Sequence, residues 1–309
     1  HRFSDKPEDI PRTASGAPKP VQAWVLRLTQ DFKYDSNIVN QPDGKLVKVS
    51  FTGSPLSKTA VFGKYEAIFD NWIAVTPELN IDATIHLNRR NDVYSNDNTT
   101  FAPAIRSRLD HIFNAKPAAG LFEYEYSYGT RDYKDKEEVF TYYNQSHNFI
   151  AGERFEFISP GSTTVKGSFK LALNQNSKQN FWAPKVSVIQ NWGISTYTLA
   201  TTASWELQID KDPFFDQRSY AFNNSIGFPK VYWDTGVDLS LNINLVDTMR
   251  QYQTRGLEKN IVPGITLTRH WGEKSTVSTN VSYNYTRNIS GDRATYDYSK
   301  HVIGLGLQV

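Results

Sequence analysis

One short run of the sequence contains the residue types of a hydrolytic site. Residues 144–149, "NQSHNF", place Ser146, His147 and Asn148 in succession. In nucleophilic triads a histidine activates a serine hydroxyl and a third group orients the histidine. Such triads are assembled by spatial geometry, and neighbours along an extended chain point to opposite faces. We therefore expect a polar strand segment here rather than a catalytic site.

The remaining ionisable residues form no recognisable chemical motif. Asp110 and His111 are adjacent, but the sequence shows no second carboxylate pair of the kind that a proteolytic Asp–His couple needs. The 6 histidines show no metal-binding spacing. Asp35, Asn37 and Asn40 could offer oxygens to calcium, but their segment lacks the acidic series of a defined calcium site. Cysteine is absent, which excludes disulfides and thiolate chemistry. The sequence predicts no catalytic residue, no metal and no cofactor.

Composition narrows the class of protein. The chain has 309 residues, of which 39% are hydrophobic, and its 34 basic residues nearly balance 32 acidic ones. This balance provides no electrostatic basis for binding nucleic acid. No apolar run approaches the ~18 to 20 residues of a membrane helix, and the mean hydropathy is −0.53. A transmembrane barrel remains open, because its strands present apolar side chains to lipid only at every second residue.

The elements that carry these residues are long two-faced strands. In "YTLATTASWELQI", residues 197–209, apolar or aromatic side chains alternate with mostly polar ones for about twice the usual strand length of ~5 to 6 residues. The same alternation occurs in residues 22–34, 233–245 and 277–286. Counting such segments predicts about 14 strands. Residues 139–162 are predicted to hold either one strand and a turn or two short strands.

The connections between these segments alternate between long polar loops and short turns, the latter including "NAKP", "WGIS", "FPKV" and "WGEKS". This asymmetry is typical of extracellular loops and periplasmic turns, and it places both chain ends on the periplasmic side. Residues 1–21 are rich in proline and lack periodicity, so they are predicted to form a periplasmic N-terminal arm before a barrel of residues 22–309. A first residue other than Met, His1, leads us to expect a mature form after signal-peptide removal.

Aromatic residues mark the ends of the periodic segments. Such rings form girdles at the two membrane interfaces, because an amphipathic ring prefers the level of the lipid headgroups. The predicted girdle comprises Trp24, Tyr34, Tyr128, Trp182, Trp192, Tyr197, Tyr220, Trp233, Trp271 and Tyr285.

With these features the sequence resembles Gram-negative outer-membrane β-barrel proteins, especially monomeric porin-like barrels. The resemblance implies an all-β, closed antiparallel transmembrane barrel in the bacterial outer membrane, surrounded by lipid and lipopolysaccharide. Barrels of this class commonly end in an aromatic residue, whereas this chain ends in "GLQV". The difference leaves a conventional assembly signal in doubt. The alternative fold is a soluble β-sandwich or lipocalin-like barrel, which predicts apolar inner faces and polar outer faces.

A membrane barrel of this kind has a polar lumen. Basic residues are predicted to cluster on the early strands and acidic ones to be frequent on the later strands, which would order water and favour small polar solutes. The residues predicted to line the pore are Arg27, Lys33, Lys64, Glu66, Asp82, His86, Arg106, Arg108, Glu123, Glu125, Glu206, Asp234 and Asp238.

These lining residues leave three functional hypotheses open. The leading one is a passive, weakly selective channel, although salt bridges that plug the interior are an equal alternative. The second is a non-enzymatic anchor or scaffold that binds an envelope partner through its loops or N-terminal arm. A lipid-modifying or proteolytic barrel enzyme has only the weak motifs above. The oligomeric state is left open.

Overall fold

The computed structural model describes residues 22–37, 53–69, 72–87, 97–131, 141–156, 161–194, 196–250, 255–271 and 276–309. These residues form fourteen strands, of 11 to 16 residues each. The strands are β1 (Gln22–Asp35), β2 (Ser54–Phe69), β3 (Ile73–His86), β4 (Asn98–Phe113), β5 (Lys116–Arg131), β6 (Thr141–Phe155), β7 (Gly161–Asn174), β8 (Phe181–Ile194), β9 (Tyr197–Asp210), β10 (Gln217–Tyr232), β11 (Thr235–Asp247), β12 (Leu257–Trp271), β13 (Val277–Ile289) and β14 (Tyr298–Gln308).

The strands close into one antiparallel barrel. Each strand pairs with its sequence neighbours, and β14 pairs with β1 from Thr29↔Gln308 to Asp35↔Val302. Closure removes the free edges of the sheet, as hydrocarbon requires of strands that span it. The predicted closed antiparallel transmembrane β-barrel is therefore confirmed.

Long and short connections lie at opposite ends of this barrel. At the end we call the loop end, the strands are joined through residues 36–53, 87–97, 132–140, 175–180, 211–216, 248–256 and 290–297. At the other, the turn end, the connections are residues 70–72, 114–115, 156–160, 195–196, 233–234 and 272–276. β1 begins and β14 finishes at the turn end, as the predicted asymmetry requires.

The turn between β10 and β11 lies outside the segment that the sequence predicts. "FPKV", residues 228–231, is part of β10, whose pairing with β11 shifts register between Phe228 and Tyr232. The turn is instead formed by Trp233 and Asp234, with φ of 46° and 55°. Two consecutive left-handed residues match the twist of a two-residue hairpin. The prediction was wrong because apolar and polar residues still alternate in sequence at Trp233 and Asp234, although the backbone of these two residues forms the turn.

Residues 139–162 contain one strand and a connection rather than two short strands. β6 ends at Phe155, and β7 already begins at Gly161. The two-strand alternative is excluded because β6 pairs continuously with β7 from Asn144↔Asn174 to Phe155↔Thr163.

Burial in the barrel is the reverse of that in a soluble protein. Among the described residues, the buried apolar side chains are all alanines, whereas the buried polar ones include Asp35, His86 and Glu258. Large apolar side chains cover the outside, with Trp24 80% exposed and Leu26 79% exposed. An apolar belt of this extent is unfavourable in water and favourable in lipid. The soluble alternative is thereby excluded.

All ten predicted girdle residues lie towards one end or the other of the barrel. Those on strands occupy outward-facing positions. Trp24, Trp192, Tyr197, Trp233 and Trp271 lie at the turn end, and Tyr34, Tyr128, Trp182, Tyr220 and Tyr285 lie towards the loop end. Near the loop end, outward-facing histidines also join aromatic rings: the Tyr283 hydroxyl lies 2.8 Å from His301 Nδ1. Two levels of rings are the arrangement that membrane interfaces favour.

The predicted arm, residues 1–21, lies outside the described residues. In the part of the chain that the structure describes, no helix is long and apolar enough to cross a membrane.

Candidate functional site: the barrel lumen

The inner face of the wall can be traced from strand to strand. Residues directly opposite one another in antiparallel pairs share a face. A luminal cavity of about 630 Å³ is lined by Arg27, Glu78, Arg106, Glu125 and Lys170, among others. Following the pairing from these residues places the following predicted lining residues on the inner faces of the strands: Arg27, Lys33, Lys64, Glu66, Asp82, His86, Arg106, Arg108, Glu123, Glu125, Glu206 and Asp238.

Asp234 requires a correction, because it lies in the turn between β10 and β11 rather than on the inner wall. Its side chain is 68% exposed and lies 2.8 Å from the ammonium group of Lys230. The hydrogen bond from Lys230 and its positive charge lower the pKa of the Asp234 carboxyl group. The carboxylate is therefore charged at neutral pH but remote from the middle of the lumen.

Arg106 is the centre of the largest ionic network on the inner wall. Its guanidinium donates to Glu78 Oε2 at 2.9 Å, to Glu125 Oε1 at 2.8 Å and to Glu123. Lys166 adds a second cation, with its Nζ 2.5 Å from Glu123 Oε1. We call these five residues the Arg106 cluster. Three carboxylates surround two cations, so the cluster carries one formal negative charge.

The predicted separation of charge between early and late strands needs revision. The inner faces of β1 to β5 carry acidic residues as well as basic ones, including Asp31, Glu78 and Glu123. The described inner faces of β9 to β13 carry Glu206, Asp210, Asp238 and Glu258 but neither lysine nor arginine. One side of the lumen is thus rich in paired charges, and the other is mostly uncharged and weakly acidic.

Ion pairs run along the wall rather than across the lumen. Lys33 pairs with Asp31, Lys58 with Asp82, Lys185 with Glu206 and Lys300 with Asp35. Among the described inner-face pairs, the widest separation is the two-strand step between Lys166 on β7 and Glu123 on β5. The ion pairs therefore do not bridge opposite walls. This geometry argues against a salt-bridge plug.

Two cavity cations differ from Arg106. Arg27 and Lys170 have no carboxylate within salt-bridge distance among the described residues, and each instead lies 5.7 Å from the centre of an aromatic ring, Phe62 and Phe181 respectively. Such contacts with an aromatic face contribute little at exposed sites. Both charges therefore remain available to water and solutes in the cavity.

The serine, histidine and asparagine of residues 144–149 are separated by the wall. Ser146 and Asn148 line the luminal cavity. His147 lies on the outer face, where its Nδ1 is 2.9 Å from the Tyr124 hydroxyl. Asn148 donates to Glu125 Oε2 at 3.0 Å. Because a base and its nucleophile must share hydrogen-bonding distance, these residues do not form a triad.

The other two candidate motifs are also held in structural contacts. Asp110 accepts from Arg108 at 2.9 Å, whereas His111 lies near Leu109 O on the outer face. Asp35 accepts from the Asn37 backbone at 2.9 Å and from Lys300 at 3.3 Å. Asn40 lies outside the described residues. Within the described ranges, no group of three or more potential ligands is arranged for a metal ion.

His86 forms a buried pair near the loop end. Its Nδ1 lies 3.0 Å from Asp97 Oδ1, and the same oxygen accepts from the His86 backbone at 2.6 Å. Both side chains are less than a tenth exposed. The pair joins the end of β3 to the start of β4, so His86 acts as a structural residue of the rim rather than as a solvated pore-lining group.

Opposite the Arg106 cluster, the wall presents amides and hydroxyls. Asn223 and Asn242 lie directly opposite each other on β10 and β11, and Asn244 follows two positions along β11. Asn280 and Asn284 extend the surface on β13. We call these five asparagines the amide wall. Because β11 is seven strands from β4 in a fourteen-strand ring, this surface faces the Arg106 cluster across the lumen.

Two features of the lumen, Glu78 and the amide wall, are absent from the predicted lining residues. Glu78 alternates with Asn80 and Asp82, so the alternation that predicts Asp82 on the inner face places Glu78 there as well. The asparagines were recognisable as the polar face of β11 and β13, but they were not singled out because uncharged residues carry no obvious chemical motif.

Comparison with known proteins identifies the class of fold. No protein-family model and no curated protein sequence matches the chain. Among solved structures, the outer-membrane channel DcaP of Acinetobacter baumannii is similar with a TM-score of 0.54 at 11% identity, covering 96% of this chain and 98% of that one. The fold is that of a Gram-negative outer-membrane barrel.

Two further outer-membrane barrels align over similar lengths. OmpT of Vibrio cholerae, an outer membrane protein in trimer form, gives a TM-score of 0.49 at 9% identity, covering 93% of this chain and 99% of that one. An anion-selective porin from Comamonas acidovorans gives 0.46 at 9% identity, with the same coverage.

Proposed function

We propose that this barrel is a passive, weakly selective channel for small hydrophilic solutes across the bacterial outer membrane. The observation that carries the proposal is the direction of the luminal ion pairs, which among the described residues follow the wall and do not bridge the cavity between opposite walls. Barrels of 8 strands are filled by their own side chains, whereas those of 16 to 18 leave an aqueous channel. A ring of fourteen described strands is close to the second group.

Weak selectivity follows from the balance of charges. The Arg106 cluster carries one formal negative charge, Arg27 and Lys170 add two positive charges that no described carboxylate pairs with, and Asp238 faces the lumen from the other side. Mixed charges of similar number produce small potentials for either sign of ion. We therefore expect cations and anions to permeate at comparable rates.

The outer face of the barrel indicates which membrane components it contacts. The apolar belt would contact outer-membrane lipid, and the loop-end aromatic level would contact lipopolysaccharide at the outer leaflet. On this orientation the long connections are extracellular and the short turns periplasmic. The separation of Ser146 from His147 supports a non-enzymatic role.

Reconstitution of the full chain into planar lipid bilayers tests the proposal. We expect stepwise current increases with a steady open state, and a ratio of cation to anion permeability within about threefold of unity. Folded protein that inserts into the bilayer without producing current would contradict the channel. Such silence would favour an anchor that binds an envelope partner.

A further inference from the structure

We infer that the amide wall is the path of neutral, hydroxyl-rich solutes of the sugar class through the lumen. The inference rests on the proposed channel and deepens it, because it names the solute and the side of the lumen along which the solute passes.

The first supporting observation is that the asparagines of this wall have unused hydrogen-bonding groups. Within the described part of the chain, the side chains of Asn223, Asn242, Asn244, Asn280 and Asn284 form no hydrogen bond to another residue. All five are half-buried and face the lumen. Each amide offers two donors and one acceptor oxygen, which is the combination that a sugar hydroxyl can match in either role.

These asparagines also oppose the local preference of a strand. Asparagine is depleted in β-strands, whereas valine, isoleucine and threonine are enriched. A polar group that faces lipid needs a hydrogen-bond partner within the protein. Outward-facing Asn224 has one, because Thr201 Oγ1 donates to its Oδ1 at 2.9 Å. Among the described residues, the five asparagines of the amide wall have no such partner, whereas the neighbouring luminal Asn260 donates to Asn288 Oδ1 at 3.4 Å. Residues that contradict local propensity without structural compensation are expected at functional surfaces.

Glycines make the wall flat. Gly264 on β12 lies between Ser240 and Asn284, and a Cβ atom there would meet the side-chain oxygens of both. Gly306 on β14 similarly leaves room for the Asn280 amide. The polar groups therefore lie along the wall over these glycines instead of projecting into the lumen. The flat surface widens the path beside the amides.

The physical chemistry of hydration favours this side for neutral solutes. Replacing water on an amide by a sugar hydroxyl exchanges one neutral hydrogen bond for another of similar strength. Displacing water from the charged groups of the opposite wall costs more, because ions are more strongly hydrated. A neutral hydroxylated molecule consequently passes at lower free energy along β10 to β13 than beside the Arg106 cluster.

Osmotic swelling of proteoliposomes tests the inference with arabinose and glutamine as probes. The two solutes have similar size and no net charge, but only arabinose has many hydroxyl groups. Replacing both amides in N242L/N284L should lower the arabinose rate about threefold to fivefold relative to glutamine, as expected for the loss of one hydrogen bond per solute. The matched control is Asn80→Leu, which places the same side chain on the opposite luminal wall.

The outcomes separate the inference from the proposed channel. An unchanged ratio of arabinose to glutamine in N242L/N284L, or an equal change in Asn80→Leu, overturns the inference but leaves the channel intact. No swelling with either solute in the wild-type protein overturns both. The smaller variant N242A/N284A serves where leucine disturbs folding, and it should lower the same ratio.

Discussion

At the scale of single residues, the clearest distinction is between paired and unpaired luminal charges. Arg106 shares its guanidinium among three carboxylates, whereas Arg27 and Lys170 lie near aromatic rings and have no carboxylate within salt-bridge distance among the described residues. Sequence position alone makes these cations equivalent, since all three are inward residues of alternating strands. Their partners decide whether each charge is available to a permeating ion.

Removing the Arg106 guanidinium should therefore expose negative charge. In Arg106→Gln, the carboxylates of Glu78 and Glu125 lose their cation, and Glu123 keeps only Lys166. We expect the ratio of cation to anion permeability to rise about twofold or more, measured from reversal potentials in a salt gradient. The matched control is Arg269→Gln, which removes the same charge from the outer face, where Arg269 lies 4.1 Å from the Trp271 ring centre. Equal shifts in both variants would contradict the luminal position of Arg106 in a conducting pore.

At the scale of elements, each strand has one face for lipid and one for water. β11 shows this in adjacent residues: Leu241 is outward-facing and 40% exposed, whereas Asn242 faces the lumen. Both lie near the middle of the strand, where the bilayer is least tolerant of charge. The same substitution should consequently have opposite consequences at the two positions.

We expect Leu241→Lys to lower the free energy of unfolding by about 2 to 4 kcal/mol, the range for a lysine at the bilayer midplane. Asn242→Lys should change it by less than about 1 kcal/mol, because its ammonium group remains in water. Reversible urea unfolding from lipid vesicles, followed by tryptophan fluorescence, measures the difference. Similar losses for the two variants would show that the outer face is not the lipid-facing one.

Turns are a second class of element with their own chemistry. Asp234 has φ of 55°, a conformation that β-branched residues rarely adopt. Asp234→Val should lower the free energy of unfolding by about 1 to 2 kcal/mol, and Asp234→Gly should leave it unchanged or raise it. The matched control, Asp238→Val, introduces the same side chain into the extended backbone of β11 and should be tolerated. If Asp238→Val lowered the free energy of unfolding more than Asp234→Val in the same urea assay, the strain assigned to the turn would be contradicted.

At the scale of the whole molecule, closure creates the site. The pairing of β1 with β14 brings Lys300 within 3.3 Å of Asp35 across 265 positions of sequence. It also places β4 and β11 on opposite sides of one lumen. The Arg106 cluster and the amide wall therefore face each other only because the sheet is a closed ring.

The sequence by itself determined which residues face lipid and which face the interior. Alternation is imposed locally, because each second side chain must be apolar for a strand to lie in hydrocarbon. This rule predicted the strands and the face on which their residues lie. It failed at Trp233 and Asp234, where apolar and polar residues still alternate but the backbone turns back.

Only the tertiary structure decided which luminal groups meet. Alternation specifies the face of a residue but not its height relative to a neighbouring strand, which depends on turn geometry and on the hydrogen-bond register around the closed barrel. Thus Glu78, Glu123 and Glu125 converge on Arg106, while Arg27 on a nearby strand has no carboxylate within salt-bridge distance in the described part of the chain. The amide wall likewise arises from register, because it needs asparagines of separate strands at one level of the lumen.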